Sequence, residues 1–161
     1  MRNDRFRLLM DSAIRTTVKE RIPTRVRKIR FIYRSGVLFI QLPSGRMLSY
    51  VKPHMGVNRF GTESVVYYGL DGQKRWSEVE SYGPKFVENI VQGISRDILA
   101  YAMRTLRNYR ICAHVHDELI IECPEDVPVE EICEKMSLVP PWCGGLILKA
   151  EGYSGRFYFK S

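Results

Sequence analysis

The sequence predicts an α+β domain built on a largely antiparallel sheet. Three observations carry that prediction. Short runs rich in β-branched and aromatic residues follow one another between turn residues over 26–80. A strongly periodic apolar helix occupies 84–108. A second greasy stretch, ICAHVHDELIIEC (Ile111 to Cys123), is interrupted in its middle by His116, Asp117 and Glu118. The 161 residues suit one domain, 1–161, large enough to bury a core.

Residues 4–21 form the first predicted helix, with Phe6, Leu9, Met10, Ala13, Ile14 and Val18 at helical spacing. Asn3 or Asp4 is the expected cap, and Pro23 the stop. Strands are expected at Val26–Tyr33 and Val37–Leu42, turned at Arg34, Ser35 and Gly36. LPSGRMLSY makes another turn at Pro43, Ser44 and Gly45 and returns as a short strand. Residues 52–62 read as an irregular loop. A hairpin follows, SVVYYGL and QKRWSEV, turned at Asp71-Gly72, a pair that favours hairpin turns.

The helix over 84–108 has a wide apolar face that includes Phe86, Ile90, Ile94, Leu99 and Leu106. Lys85, Asn89, Gln92 and Arg96 line its polar stripe, which plain solvent exposure would also explain. After the interrupted stretch, a short helix is expected at Val127–Met136. Strands at Leu146–Glu151 and Arg156–Phe159 close the chain.

The interrupted stretch reads as a hairpin with mostly buried arms. A two-residue loop at Asp117-Glu118 would set His116 opposite Leu119, His114 opposite Ile121 and Cys112 opposite Cys123. Asp-Glu is a poor pair for such a loop, because tight hairpin turns want positive φ at one or both central residues. A local rule broken without local gain points to function.

The formal net charge of +7 fits a polyanionic partner, above all nucleic acid, although a run of basic residues can also be a solvated face. The basic residues crowd between Arg15 and Arg34. No apolar run is long enough for a membrane span and no signal-peptide core opens the chain, so a cytoplasmic location without membrane contact is expected. Cys112, Cys123, Cys133 and Cys143 lack the close spacing of a zinc site. They are expected to be reduced, with Cys112 and Cys123 buried as small hydrophobes.

A carboxylate at the tip of a rigid hairpin can be aimed at a metal ion. The hard oxygens of Asp117 suit Mg²⁺. Two-metal phosphoryl transfer needs carboxylates from more than one segment. A zinc or di-metal hydrolase using His114, His116 and Asp117 is an alternative, but His54 is the only other histidine and no H-E-x-x-H occurs. Neither a nucleophile elbow nor a phosphate-binding glycine loop is present.

HVHDELIIE resembles motif C of the family A, bacterial polymerase I-like DNA polymerases. YGPKFVENIVQGISRDILAYAMRTL resembles the helix that precedes motif C in phage-type members, and LPSGRMLSY and EGYSGRFYFKS resemble further segments of them. The order and spacing agree across nearly the whole chain. The resemblance implies a palm-type sheet and template-directed nucleotidyl transfer on primer–template DNA. It implies Asp117 as a catalytic, metal-holding residue and Glu118 as its acidic neighbour. His116 would lie near the primer terminus, and Gln92 would reach minor-groove acceptors common to all correct pairs. Lys85 and Arg96 share the stripe of Gln92 and are carried as DNA contacts.

The resemblance also shows what is missing. The motif A aspartate and the fingers helix that grips deoxynucleoside triphosphates are not in this sequence, which opens with a helix (1–23) like the segment after the fingers. The expectations are a C-terminal palm portion, with a two-metal Mg²⁺ site completed by a carboxylate from elsewhere. The chain should be inactive alone and partnered in trans by an N-terminal polymerase portion. A cut palm would also expose a sheet edge that invites self-association. The competing class is a basic DNA-binding module without catalysis, or a polymerase remnant.

Overall fold

The computed structural model describes residues 2–58 and 60–158, with Arg2 and Asn3 described by backbone alone. It is α+β, with a six-stranded antiparallel sheet, a separate two-stranded sheet and three α-helices. The chain forms two compact units, Met1–Ile94 and Ser95–Ser161.

In the first unit, α1 (Arg2–Glu20) buries Met10, Ile14 and Val18, one residue per turn of a single face. Asn3 and Asp4 do not precede this helix as caps but lie in its first turn, where Asp4 faces the positive end of the helix dipole. Arg21 ends it at a φ of +62°, before Pro23 is reached, and its guanidinium lies 3.6 Å from the centroid of the Tyr33 ring. The buried hydroxyl of Thr17 is satisfied by Thr24 Oγ1 at 2.7 Å, and Thr24 Oγ1 donates to Ala13 O, so helix and first strand are tied together.

The strand expected over 26–33 is two strands, β1 (Thr24–Val26) and β2 (Ile29–Arg34). Val26 pairs with Ile29, leaving Arg27-Lys28 as a two-residue turn with Arg27 at a φ of +55°. Nothing in Arg-Lys announces a turn, since neither residue favours that conformation. The next turn, before β3 (Val37–Gln41), obeys turn chemistry: Ser35 and Gly36 both have positive φ, as a type I′ turn requires.

The loop expected over 52–62 is largely strand. β4 (Met47–Val57) runs to eleven residues by way of a register shift between Val51 and His54. Lys52 and Pro53 occupy that bulge, with Lys52 at a φ of +48° and its N–H donating to Gly36 O at 2.7 Å. A bulge is where a sheet accepts a proline without losing a ladder bond. Past it, Gly56 packs so close to the neighbouring strand that a Cβ would sit 2.8 Å from Val66 Cγ2.

β5 (Glu63–Leu70) and β6 (Trp76–Ser81) pair from Leu70–Trp76 onward. Their turn is not a two-residue Asp-Gly turn. Asp71 N–H donates to Arg75 O and Lys74 N–H to Asp71 O, enclosing a three-residue loop with Lys74 at a φ of +60°. The Leu42–Arg46 and Asn58–Thr62 loops close with the same pair of bonds, but there the left-handed position holds Gly45 and Gly61. Asp71 Oδ1 accepts from the N–H groups of Gln73 and Arg75, so the aspartate organises its loop through its side chain.

The sheet order is β1-β2-β3-β4-β5-β6, a meander. Its inner face joins α1 and the start of α2 (Gly83–Thr105) in one core that includes Phe31, Leu38, Ile40, Tyr50, Phe86 and Ile90. Phe86 meets Tyr50 edge-on at 5.0 Å. Gly93 lets Leu42 and Arg46 approach the helix: a Cβ there would lie 2.8 Å from Leu42 Cδ1, and Arg46 Nη2 donates to Gly93 O at 2.7 Å.

In the second unit, the end of α2 buries Leu99 and Ala102, and Leu106 is buried in the turn just after it. A hairpin follows, β7 (Arg110–Val115) and β8 (Glu118–Glu122), then α3 (Val129–Met136) and a 3₁₀ turn at Pro141–Cys143. Lys135 on α3 donates to Tyr109 Oη at 2.7 Å and to Glu131, and Tyr109 donates to Glu131. The strands expected at 146–151 and 156–159 are not formed among the described residues, and Phe159 lies outside them. Among the described residues β7 and β8 pair only with each other, and Ala150 N–H donates to Ser137 Oγ. Ile147 and Phe157 are left 93% and 83% exposed.

Candidate functional site

The hairpin carries the first group of candidate residues. The turn lies one residue earlier than expected and the pairing is shifted by two: Val115 pairs with Glu118 and His114 with Leu119, so the turn is His116-Asp117. The chemistry of the residues explains the shift. Histidine and aspartate enter the left-handed region more readily than most side chains, and His116 takes a φ of +53°. Glu118 becomes the first residue of β8. A shift of two keeps the same faces paired near the tip, but past the register shift at Cys112 Ile121 loses its expected partner, and Cys123 lies beyond β8. Ile121 pairs with Ile111, and Cys112 sits at a register shift between Ile111 and Ala113. Cys112 and Cys123 are exposed thiols, not buried neighbours. The arms are likewise not mostly buried: Cys112, Ala113 and His114 are exposed, and Leu119, Ile120 and Ile121 are half-buried.

The tip therefore presents His116, Asp117 and Glu118 together, all exposed. Glu118 Oε2 accepts a hydrogen bond from Tyr158 Oη at 3.0 Å, and that contact pushes the Tyr158 phenol above its usual range. At the base of the hairpin, Arg110 and Glu122 pair across the strands at 3.2 Å. An exposed carboxylate at a turn can enter the coordination shell of a divalent cation, but Mg²⁺ takes six oxygens in near-octahedral array. Among the described residues no group of three His, Cys, Asp or Glu could hold a metal ion. Asp117 is thus at most one contributor to a site, and the His114–His116–Asp117 metal set of a hydrolase is not assembled.

The second group lies on α2. Lys85 and Gln92 are exposed in the first unit, and Arg96 is exposed in the second. Asn89 does not belong to their stripe. It is half-buried, and its Nδ2 donates to Tyr50 Oη at 3.1 Å. The stripe instead contains an acid: Glu88 accepts from Lys85 Nζ at 3.0 Å and from Gln92 Nε2 at 3.3 Å. Its spacing, three residues after Lys85 and four before Gln92, is a signal that helix geometry makes readable. Tyr158 had no such local signal, because its partner is forty residues away.

Fold and site together define a basic α+β chain with a carboxylate at a hairpin tip and a polar helix stripe. The chain is 39% identical over 156 residues to a DNA polymerase of Bacillus phage SP02, a match covering 94% of this chain and 24% of that protein. It is a DNA polymerase-related segment, spanning about a quarter of the length of that relative. No protein-family model and no solved structure matches. Among the described residues no helix is long and apolar enough to cross a membrane.

Proposed function

We propose that this chain is the palm part of a family A DNA polymerase, working on primer–template DNA with Mg²⁺. The observation that carries the reading is Asp117, exposed at the turn of a hairpin in a chain related to a DNA polymerase. Asp117 would contribute a carboxylate to a two-metal site completed by another segment of the polymerase, with Glu118 beside it. Mg²⁺, when bound, lowers the pKa of the primer 3′-hydroxyl and offsets the charge developing on the phosphate. His116 would contact the primer end. Gln92 would sit at the minor groove, flanked by Lys85 and Arg96, after exchanging its bond to Glu88 for a base edge. The net charge of +7 and the exposed Lys85, Gln92 and Arg96 on α2 also suit a second reading, a DNA-binding module without catalysis.

Primer extension separates the two. The chain is assayed with Mg²⁺ and four deoxynucleoside triphosphates, alone and mixed with the remaining polymerase portion of the phage SP02 relative. Synthesis is expected only in the mixture, and Asp117→Asn should abolish it. A mixture that forms a complex and extends primers equally well with Asp117→Asn refutes the catalytic role. In the binding-module reading, Asp117→Asn removes a negative charge and leaves DNA affinity equal or higher.

A further inference from the structure

Between Glu20 and Glu63 the sequence contains nine Lys or Arg and no Asp or Glu. That segment builds β1 to β4. The core cluster lies on the inner face of the sheet, with α1 and the start of α2. Strand alternation and register put Arg25, Arg30 and Arg34 on the outer face.

Arg25 and Arg30 are direct cross-strand partners, and both are exposed. Like charges set opposite each other destabilise a strand pair unless something of opposite charge lies over them. Arg34 extends the row along β2. Between Arg30 and Arg34 on the same face is Ile32, whose partner on β3 is Phe39, and both are half-buried. The pattern is an apolar and aromatic centre flanked by guanidinium groups. Across the sheet the sign changes, since Glu78 and Glu80 on β6 share the outer face with Tyr68 and Val66. Lys52 lies 5.6 Å from the Tyr68 ring centroid, at the border between the two halves.

A polyanion answers the arginines, but a duplex would leave Ile32 and Phe39 against phosphate and sugar. An unstacked base covers them, as bases do on aromatic side chains of open sheets. We propose that the outer face of β1–β3 is a platform for single-stranded DNA, with Arg25, Arg30 and Arg34 on its phosphates and Phe39 under a base. The surface uses none of the residues assigned above to the α2 stripe or the hairpin tip, so it is a further nucleic-acid contact that stands or falls separately.

The test is fluorescence anisotropy of the full chain with labelled oligothymidylate of about 20 nucleotides, long enough to exceed one site. Titrations are repeated over a range of salt concentrations. The double variant Arg30→Gln/Arg34→Gln changes only exposed side chains. It should bind about tenfold more weakly, and its slope of log K against log salt should be shallower by about 1.4, roughly 0.7 for each lost phosphate contact on a single strand. Phe39→Ala should weaken binding about fivefold or more with the slope unchanged, because stacking releases no counterions. Gln92→Ala and Asp117→Asn should bind the single strand like the unaltered protein, so a failure of the primer–template reading would leave this result intact. Unchanged affinity and salt slope in a folded Arg30→Gln/Arg34→Gln protein would overturn the proposal. So would competition by blunt duplex DNA equal to that by unlabelled single strand.

Discussion

Raising the pH past 10 should destabilise this protein through one tyrosine more than through any other tyrosine of the first unit. Tyr50 is 6% exposed, with Phe86 edge-on at 5.0 Å and Tyr67 at 4.8 Å. Burial pushes its phenol up to about 12, and the Asn89 hydrogen bond opposes the shift only in part. The usual value in an unfolded chain is about 10. A group whose pKa is raised by folding stabilises the native state fully below the unfolded value and loses that contribution as pH climbs through the folded one. The window here is pH 10 to 12. Two pH units of difference correspond to about 2.7 kcal/mol in total, of which about 1.4 kcal/mol is lost by pH 11. The assay is urea unfolding followed by far-ultraviolet circular dichroism at pH 8 and pH 11, for the unaltered protein and Tyr50→Phe. Lysines and other tyrosines lose or keep their protons in both proteins, so the difference between the two pH-induced losses isolates Tyr50. The unaltered protein should lose about 1.4 kcal/mol more than Tyr50→Phe. Equal losses in both would mean that Tyr50 is not held in its buried, neutral form, and that the seat of α2 on the sheet is looser than the aromatic contacts imply.

Two other substitutions probe features described above. Lys74 occupies the left-handed position that glycine fills in the two sister loops, so Lys74→Gly should stabilise by about 0.5–1 kcal/mol; a lower thermal midpoint would contradict the loop assignment. Glu88 holds both Lys85 and Gln92 and would repel DNA phosphates. Glu88→Gln should therefore tighten primer–template binding by roughly two- to fivefold, equivalent to about 0.5–1 kcal/mol, and weaker binding in an anisotropy titration would speak against a DNA-facing stripe.

Much of the fold was legible because periodicity is a property of neighbouring residues. The two long helices were placed to within a few residues, and Ser35-Gly36 was readable as a turn from its own chemistry. What escaped depends on residues acting against type. Arg27 and Lys52 take positive φ because the strands on either side of them pair well enough to outweigh the strain. Residues 52–62 read as a loop, whereas a bulge at Lys52 and Pro53 lets β4 run on to Val57. The terminal strands failed for the opposite reason: their residues favour strand, but a strand needs a neighbour to bond. At the candidate site, a hairpin bearing Asp117 near its tip was legible from the interrupted apolar run. Which two residues turn was decided by the left-handed tolerance of His116, which a preference for placing both acids in the loop overlooked. Glu88 was available from helix spacing, whereas the Tyr158 contact to Glu118 could come only from the folded chain.

The order of the six-stranded sheet bears on how quickly it can form. Each strand is bonded to its neighbours in sequence, so every pairing closes a short loop and the entropy lost at each closure is small. β-architectures are slow to fold when distant segments must find one another, and a meander removes that search from the sheet itself. The distant contacts that remain are those of α1 and α2 with the inner face. A growing chain can therefore assemble the sheet strand by strand as synthesis proceeds. The core closes only when Phe86 and Ile90 arrive, some fifty residues after the first inner-face leucine, Leu38, has been made.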